Sequence, residues 1–195
     1  MLQQLHEISV LTYVECLIIY SAVGWLVESI YMSICNRKMT NRGFALLPLC
    51  PIYGFGAVLG YILLHSLSEN LVALYLVGAV IATIFEFFVG QLMIRFLHQL
   101  WWDYNEKPFN YKGIICLEST IAWGFYAIII VRYLNAIVVS WAEMIPRRFG
   151  IIMCTVVVFA YMFDFFYHVL DALDISLREY RSKIAENVRE FRARW

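Results

Sequence analysis

Five long apolar stretches, residues 10–34, 44–67, 71–94, 114–134 and 149–170, constrain this chain more than anything else in it. At 1.5 Å per helical residue each can cross a hydrocarbon core of about 30 Å. Lipid offers no water to backbone N–H and C=O groups, so spanning segments of this length are helices that satisfy their own hydrogen bonds. Of the 195 residues 62% are apolar and 15% charged, against roughly 45–50% apolar in a soluble domain. The expected fold is therefore all-α, a polytopic membrane bundle of about five transmembrane helices. The bundle is expected over residues 1–174, with 175–195 outside it. Residues 1–9 hold no Lys or Arg, so the first span reads as retained and not as a cleaved signal peptide.

Basic residues set the orientation. With the amino terminus outside, Arg37, Lys38, Arg42, Arg95, Lys107, Lys112, Arg178, Arg181, Lys183, Arg189, Arg192 and Arg194 all fall inside, leaving only Arg132, Arg147 and Arg148 outside. The positive-inside rule then predicts an amino terminus outside and a carboxyl terminus in the cytoplasm. A formal net charge of zero, with the basic residues in short loops and a tail, leaves no basic face for nucleic acid.

Four of the acids within the apolar stretches stand out: Glu28, Glu86, Glu118 and Asp164. An ionised carboxylate in lipid is costly unless partnered, so such residues face a bundle interior or a water-filled cavity. In the expected orientation all four share the cytoplasmic half, which suggests one acidic cavity open to the cytoplasm. Interhelical hydrogen bonds that merely hold the bundle together are the competing explanation.

The second stretch is broken. Pro48 and Pro51 lack backbone donors and Gly54, Gly56 and Gly60 follow, so helix is expected from Pro51, which suits a first helical turn. A helix over 51–65 is only about 22 Å long, and 44–50 must complete the crossing as a kinked or re-entrant segment. Shifting the sequence by seventy residues lays Tyr53-Gly54-Phe55 over Trp123-Gly124-Phe125, and residues 41–60 over 111–130. Either a duplicated two-span unit or shared apolar composition produces that match.

The loop containing Trp102, Asp103, Tyr104 and Asn110 mixes aromatics with turn formers. It reads as an interfacial belt, or as a lid in which Asp103 and Asn110 bond the 36–43 loop. Asp164, His168 and Asp171 share one helical face, suited to a proton relay. Beyond Asp174 the apolar period of Leu177, Tyr180, Ile184, Val188 and Phe191 predicts an amphipathic cytoplasmic helix that lies on the inner leaflet or docks a soluble partner.

Cys16, Cys35, Cys50, Cys116 and Cys154 form no Cys-x-x-Cys pair and read as buried hydrophobes, with a Cys50–Cys116 bridge the one pairing considered. No P-loop, Gly-x-Ser-x-Gly or His-Glu-x-x-His occurs, so no catalytic residue, metal or cofactor is expected. His6, His65, His98 and His168 fall at different depths, which argues against haem.

Several blocks carry a resemblance: Gly24-Trp25 with Glu28, Asn41-Arg42-Gly43-Phe44, Cys50-Pro51-Ile52-Tyr53-Gly54-Phe55-Gly56, Phe85-Glu86, Trp102-Asp103-Tyr104, Pro108-Phe109-Asn110 and Ile115-Cys116-Leu117. Over about residues 17–132 the chain resembles the bacterial membrane family catalogued as putative ABC-transporter type IV. It departs from the family pattern at Ile114 and Leu100, where that pattern has basic residues.

The resemblance implies a transport permease. Glu28, Asn41, Arg42, Pro51, Tyr53, Gly54, Glu86, Glu118, Asp164 and His168 would line a substrate or ion pathway. Its partners would be lipid, a separate ATPase subunit and further copies of itself. A non-transporting adaptor and a membrane-embedded enzyme using Asp164 and His168 are the alternatives.

Overall fold

The computed structural model describes residues 9–193 apart from 42, 44, 45 and 99, with side chains beyond Asp171 described only at Leu173. Arg42, Phe44 and His6 lie outside the described residues. So do the side chains of the expected amphipathic stripe from Leu177 onward.

Five helices make up the described chain, and strand content is limited to one bridge between Tyr111 and Ile115. We label them α1 (Val10–Asn36), α2 (Pro51–Leu64), α3 (Leu71–Leu97), α4 (Leu117–Glu143) and α5 (Arg147–Ala193). α1, α3, α4 and the Arg147–Asp171 portion of α5 are long and apolar enough to cross a membrane. Large apolar side chains such as Phe96, Phe159 and Phe163 are exposed on their outer faces, as lipid-facing helices require.

Local chemistry sets the helix ends. Ser9 accepts from the Thr12 amide at 3.2 Å to cap α1, and Asn70 accepts from Ala73 at 3.1 Å to cap α3. Both helices run 27 residues and close on a left-handed residue, Arg37 and His98. α2 starts at Pro51, as the sequence predicts, and a 3-10 turn, His65–Leu67, extends it. At 14 residues α2 is shorter than the bilayer core.

α4 departs from the expected 114–134 span at both ends. It begins at Leu117, where Cys116 and Ser119 form a reciprocal cap, and runs on to Glu143. Arg132 lies inside the expected stretch, next to its end at residue 134. It reaches back to Glu69, 3.2 Å away, and to the Ser68 carbonyl at 3.0 Å, so its charge is met at the surface and the helix continues. A π turn, Ile130–Leu134, precedes Asn135 and widens the helix by one residue. Asn135 is thereby presented to Tyr20, whose hydroxyl donates to its Oδ1 at 3.3 Å.

α1 pairs antiparallel with α2 and α3 with α4, and two apolar clusters tie the pairs together. Cys16, Tyr20, Ala57, Val138 and Ala142 form one; Leu64, Leu74, Ala127 and Val131 form the other. Small residues let the backbones close: a Cβ on Gly24 would strike Tyr53, and one on Gly78 would strike Ala127.

The two pairs are built alike. A step of 58 residues carries the α1 positions Cys16, Tyr20, Ser21 and Glu28 onto Leu74, Gly78, Ala79 and Glu86 of α3. Cys16, Tyr20 and Ser21 are buried, as are all four α3 positions. A step of seventy carries Gly54 and Ala57 of α2 onto Gly124 and Ala127 of α4, again all buried. Contacts follow the same steps: Gly54 abuts Leu17 and Gly124 abuts Tyr75. Twelve more residues separate Glu86 from Trp123 than Glu28 from Tyr53. Part of that excess is one additional helical turn, since Leu117–Thr120 is helical where residues 47–50 are not.

Candidate functional site

The long loops, residues 37–50 and 98–116, lie at one end of the bundle and the short turns, 68–70 and 144–146, at the other. Every acid singled out in the sequence belongs to the long-loop end, each with its own partner.

Glu86 is the most enclosed of them, 4% exposed on α3. Tyr104 Oη donates to its Oε1 at 3.1 Å, and Trp123 Nε1 donates to its Oε2 at 3.0 Å. Ser119 Oγ stands 3.2 Å from the same Oε2 and 3.0 Å from the Cys116 carbonyl, so its single proton has two acceptors. Among the described residues no cation pairs with Glu86. Burial first, and the Glu86 charge second, push the Tyr104 hydroxyl up, which keeps it a donor. One turn away Thr83 and Thr120 join α3 to α4 at 3.0 Å.

Glu28 repeats the arrangement on the first pair: Tyr53 Oη donates to its Oε2 at 2.6 Å. Tyr53 stands where Trp123 stands in the second pair, and Tyr104 lies within electrostatic reach of it. The two acid–aromatic pairs are thus neighbours. Gly54 sets the depth of Tyr53 because it sits directly against Leu17 and Ser21 of α1. At the loop, Trp25 Nε1 donates to Asn41 Oδ1 at 2.7 Å.

Asp164 of α5 explains how the broken segment survives. Its Oδ2 accepts from the Leu47 amide at 2.8 Å, and its Oδ1 is 3.2 Å from His168 Nδ1. A backbone donor freed by Pro48 and Pro51 is therefore met by a side chain from another helix, as irregular backbone at membrane depth demands. Asp164→Ala is expected to lower stability by about 1–3 kcal/mol by orphaning that amide. Asp164→Asn, which keeps an acceptor, should cost less; thermal unfolding in nanodiscs measures both.

Glu118 differs from the other three. It is exposed and pairs with Lys107 at 2.8 Å, a contact that raises the Lys107 ammonium above its usual range. The loop holding Lys107 is bonded largely to itself. Asp103 accepts from the Asn105 amide at 2.8 Å, Asn110 donates to the Asn105 and Lys107 carbonyls, and Trp102 donates to the Ile114 carbonyl at 2.7 Å. These bonds of Asp103 and Asn110 lie within the loop and not with 36–43. Tyr104 is the loop residue that enters the site.

All five cysteines are free thiols. A cavity of about 10 Å³, room for about one water, lies between α1, α2 and α4 and is lined by Tyr13, Cys16, Val58, Tyr61, Asn135 and Val139.

One buried acid was passed over in the sequence. Glu15 of α1 is 3% exposed, and its Oε1 has no hydrogen-bond partner among the described residues. Its place inside the first apolar stretch was a sufficient signal. Ser119 and Trp123 were also missed as ligands of Glu86, although their spacing of four on α4 puts them on one face.

A family model described as putative ABC-transporter type IV matches residues 16–169, a region that takes in all or part of every helix contributing to the site. No curated protein and no solved structure matches the chain. A match over that much of the sequence, carried by the helices that hold Glu28, Glu86 and Asp164, places the chain in the putative ABC-transporter type IV family.

Proposed function

We propose that this chain is the membrane-spanning subunit of a transporter. Its long-loop end would take up a proton, a cation or an amine-bearing solute at Glu28 and Glu86, under an ATPase carried on a separate polypeptide. The observation that carries this reading is the ligation of Glu86. A buried carboxyl meets donors only, with no cation among the described residues, and its third donor is switchable. With Glu86 ionised, Ser119 donates to it. With Glu86 protonated, the acid can donate to Ser119 Oγ, and Ser119 turns to the Cys116 carbonyl. The network stays satisfied in either state, which a proton-carrying or cation-exchanging site needs and a purely structural contact does not.

Glu28, Tyr53, Gly54 and Pro51 make the equivalent site of the first pair. Asp164 and His168 hold its entry segment, Asn41 lies on its loop, and Tyr104 closes the second site from the 98–116 loop. In the orientation the basic residues predict, both sites face the cytoplasm of a bacterial inner membrane.

The test is proton flux in proteoliposomes loaded with a pH-sensitive dye under an imposed pH gradient. Wild type should dissipate the gradient faster than empty liposomes, and Glu86→Gln should fall to the protein-free rate. Undiminished flux in Glu86→Gln would remove that carboxyl from the pathway.

A second reading, a non-transporting adaptor, draws on α5. This helix runs unbroken for 47 residues, about 70 Å at 1.5 Å per residue, more than twice the hydrocarbon core. Its distal part would project from the membrane and offer a docking rod. Affinity purification separates the two: an ATPase whose hydrolysis responds to this chain favours the transporter, and a stable biosynthetic enzyme or sensor favours the adaptor.

A further inference from the structure

Glu15 lies thirteen residues before Glu28 on α1, about 20 Å along the helix axis, so it occupies the short-turn end of the bundle, opposite the Glu28 and Glu86 sites. Its side chain is 3% exposed, and Oε1 has no hydrogen-bond partner among the described residues. That oxygen is pressed against Gly150, the first buried residue of α5, so closely that a Cβ there would overlap it. Ile145 is packed against the same glycine.

Among the described residues, the titratable groups around it supply no positive charge. Cys16 is its neighbour on α1, Cys154 faces it from α5, and Glu143 at the end of α4 acts on Cys16. Arg147 and Arg148, at the start of α5, are exposed. Among the described residues neither is ion-paired with it. An ionised carboxylate with an orphan oxygen in such a place costs several kcal/mol, whereas the neutral acid carries no charge and leaves the smaller cost of a polar group short of partners.

We infer that Glu15 is a proton-binding site in the half of the bundle opposite Glu86, with the carboxyl held as the neutral acid against Gly150. Its ligand is a proton, and the room for it is made by the missing side chain of Gly150. Removing the proton places a bare charge at the α1–α5 contact, so the site links protonation to how α5 seats on α1. The inference is independent of transport, because a protonated Glu15 is expected whether or not the bundle moves a solute.

Infrared difference spectroscopy of the full chain in lipid at neutral pH, wild type against Glu15→Gln, reads the protonation state directly. The expected result is loss of a carboxylic-acid C=O stretch that shifts in heavy water, with the carboxylate bands unchanged. Loss of carboxylate bands instead overturns the inference.

Should Glu15→Gln fail to fold, wild type treated with dicyclohexylcarbodiimide gives a second readout. The acid O–H adds across one C=N bond, and the O-acylurea rearranges to a stable N-acylurea that retains every atom of the reagent. Peptide mass spectrometry should find the adduct on Glu15. An unmodified Glu15 in a sample whose other membrane acids react would overturn it equally.

Discussion

Glu86→Leu is expected to cost several kcal/mol of stability, the largest loss of any single substitution in the bundle. Leucine fills a similar space but accepts nothing, so the Tyr104 hydroxyl and the Trp123 indole N–H are left buried without a partner. Each orphaned donor costs about 1–3 kcal/mol, and the whole reserve of an ordinary domain is about 5–15 kcal/mol. Glu86→Gln retains one acceptor oxygen and should fall between Leu and wild type. Glu118→Leu is the control: it removes only the exposed pair with Lys107, and such pairs contribute little, so its thermal midpoint should match wild type. Midpoints in nanodiscs check the order Glu118→Leu, Glu86→Gln, Glu86→Leu, from most to least stable.

Two glycines six residues apart on α2 are expected to respond in opposite ways to alanine. At Gly54 the new Cβ would fall on the Leu17 carbonyl and Ser21 Oγ of α1. A backbone oxygen cannot swing aside as a side chain can. The helices must separate, an overpacking cost of about 1–3 kcal/mol, and Tyr53 moves with them. Gly54→Ala should therefore both lower the midpoint and weaken the bond from Tyr53 to Glu28. At Gly60 a Cβ meets nothing within 4 Å, so Gly60→Ala should stabilise by about 0.5–1 kcal/mol through helix propensity alone. A destabilised Gly60→Ala, or a neutral Gly54→Ala, would show that α2 does not pack on α1 in this register.

Much of this was legible in the sequence because it followed from length and backbone chemistry. Long apolar runs located α1, α3 and α5, and two prolines located the start of α2. The end of α4 was not legible: the apolar run stops at residue 134, whereas the helix continues to Glu143. The π turn at Ile130–Leu134 has no sequence signal at all.

The acids were visible as costly residues, but their partners were not. Glu86 is met by a loop tyrosine eighteen positions away and Asp164 by a backbone amide 117 positions away, pairings only the fold creates. The likeness of the two helix pairs was half visible: a step of seventy matches α2 to α4, yet α1 matches α3 at 58. No single shift captures both, because the second pair carries a longer loop and one more helical turn.

The account rests on the long-loop end being a polar site reached by water from one side of the membrane. Single cysteines at positions 28, 104 and 164, introduced into a chain whose five native cysteines are replaced, test this with a membrane-impermeant maleimide. The account predicts labelling only from the side that carries the carboxyl-terminal part of α5. Labelling from the opposite side, or reaction solely with a lipid-soluble maleimide, would contradict it.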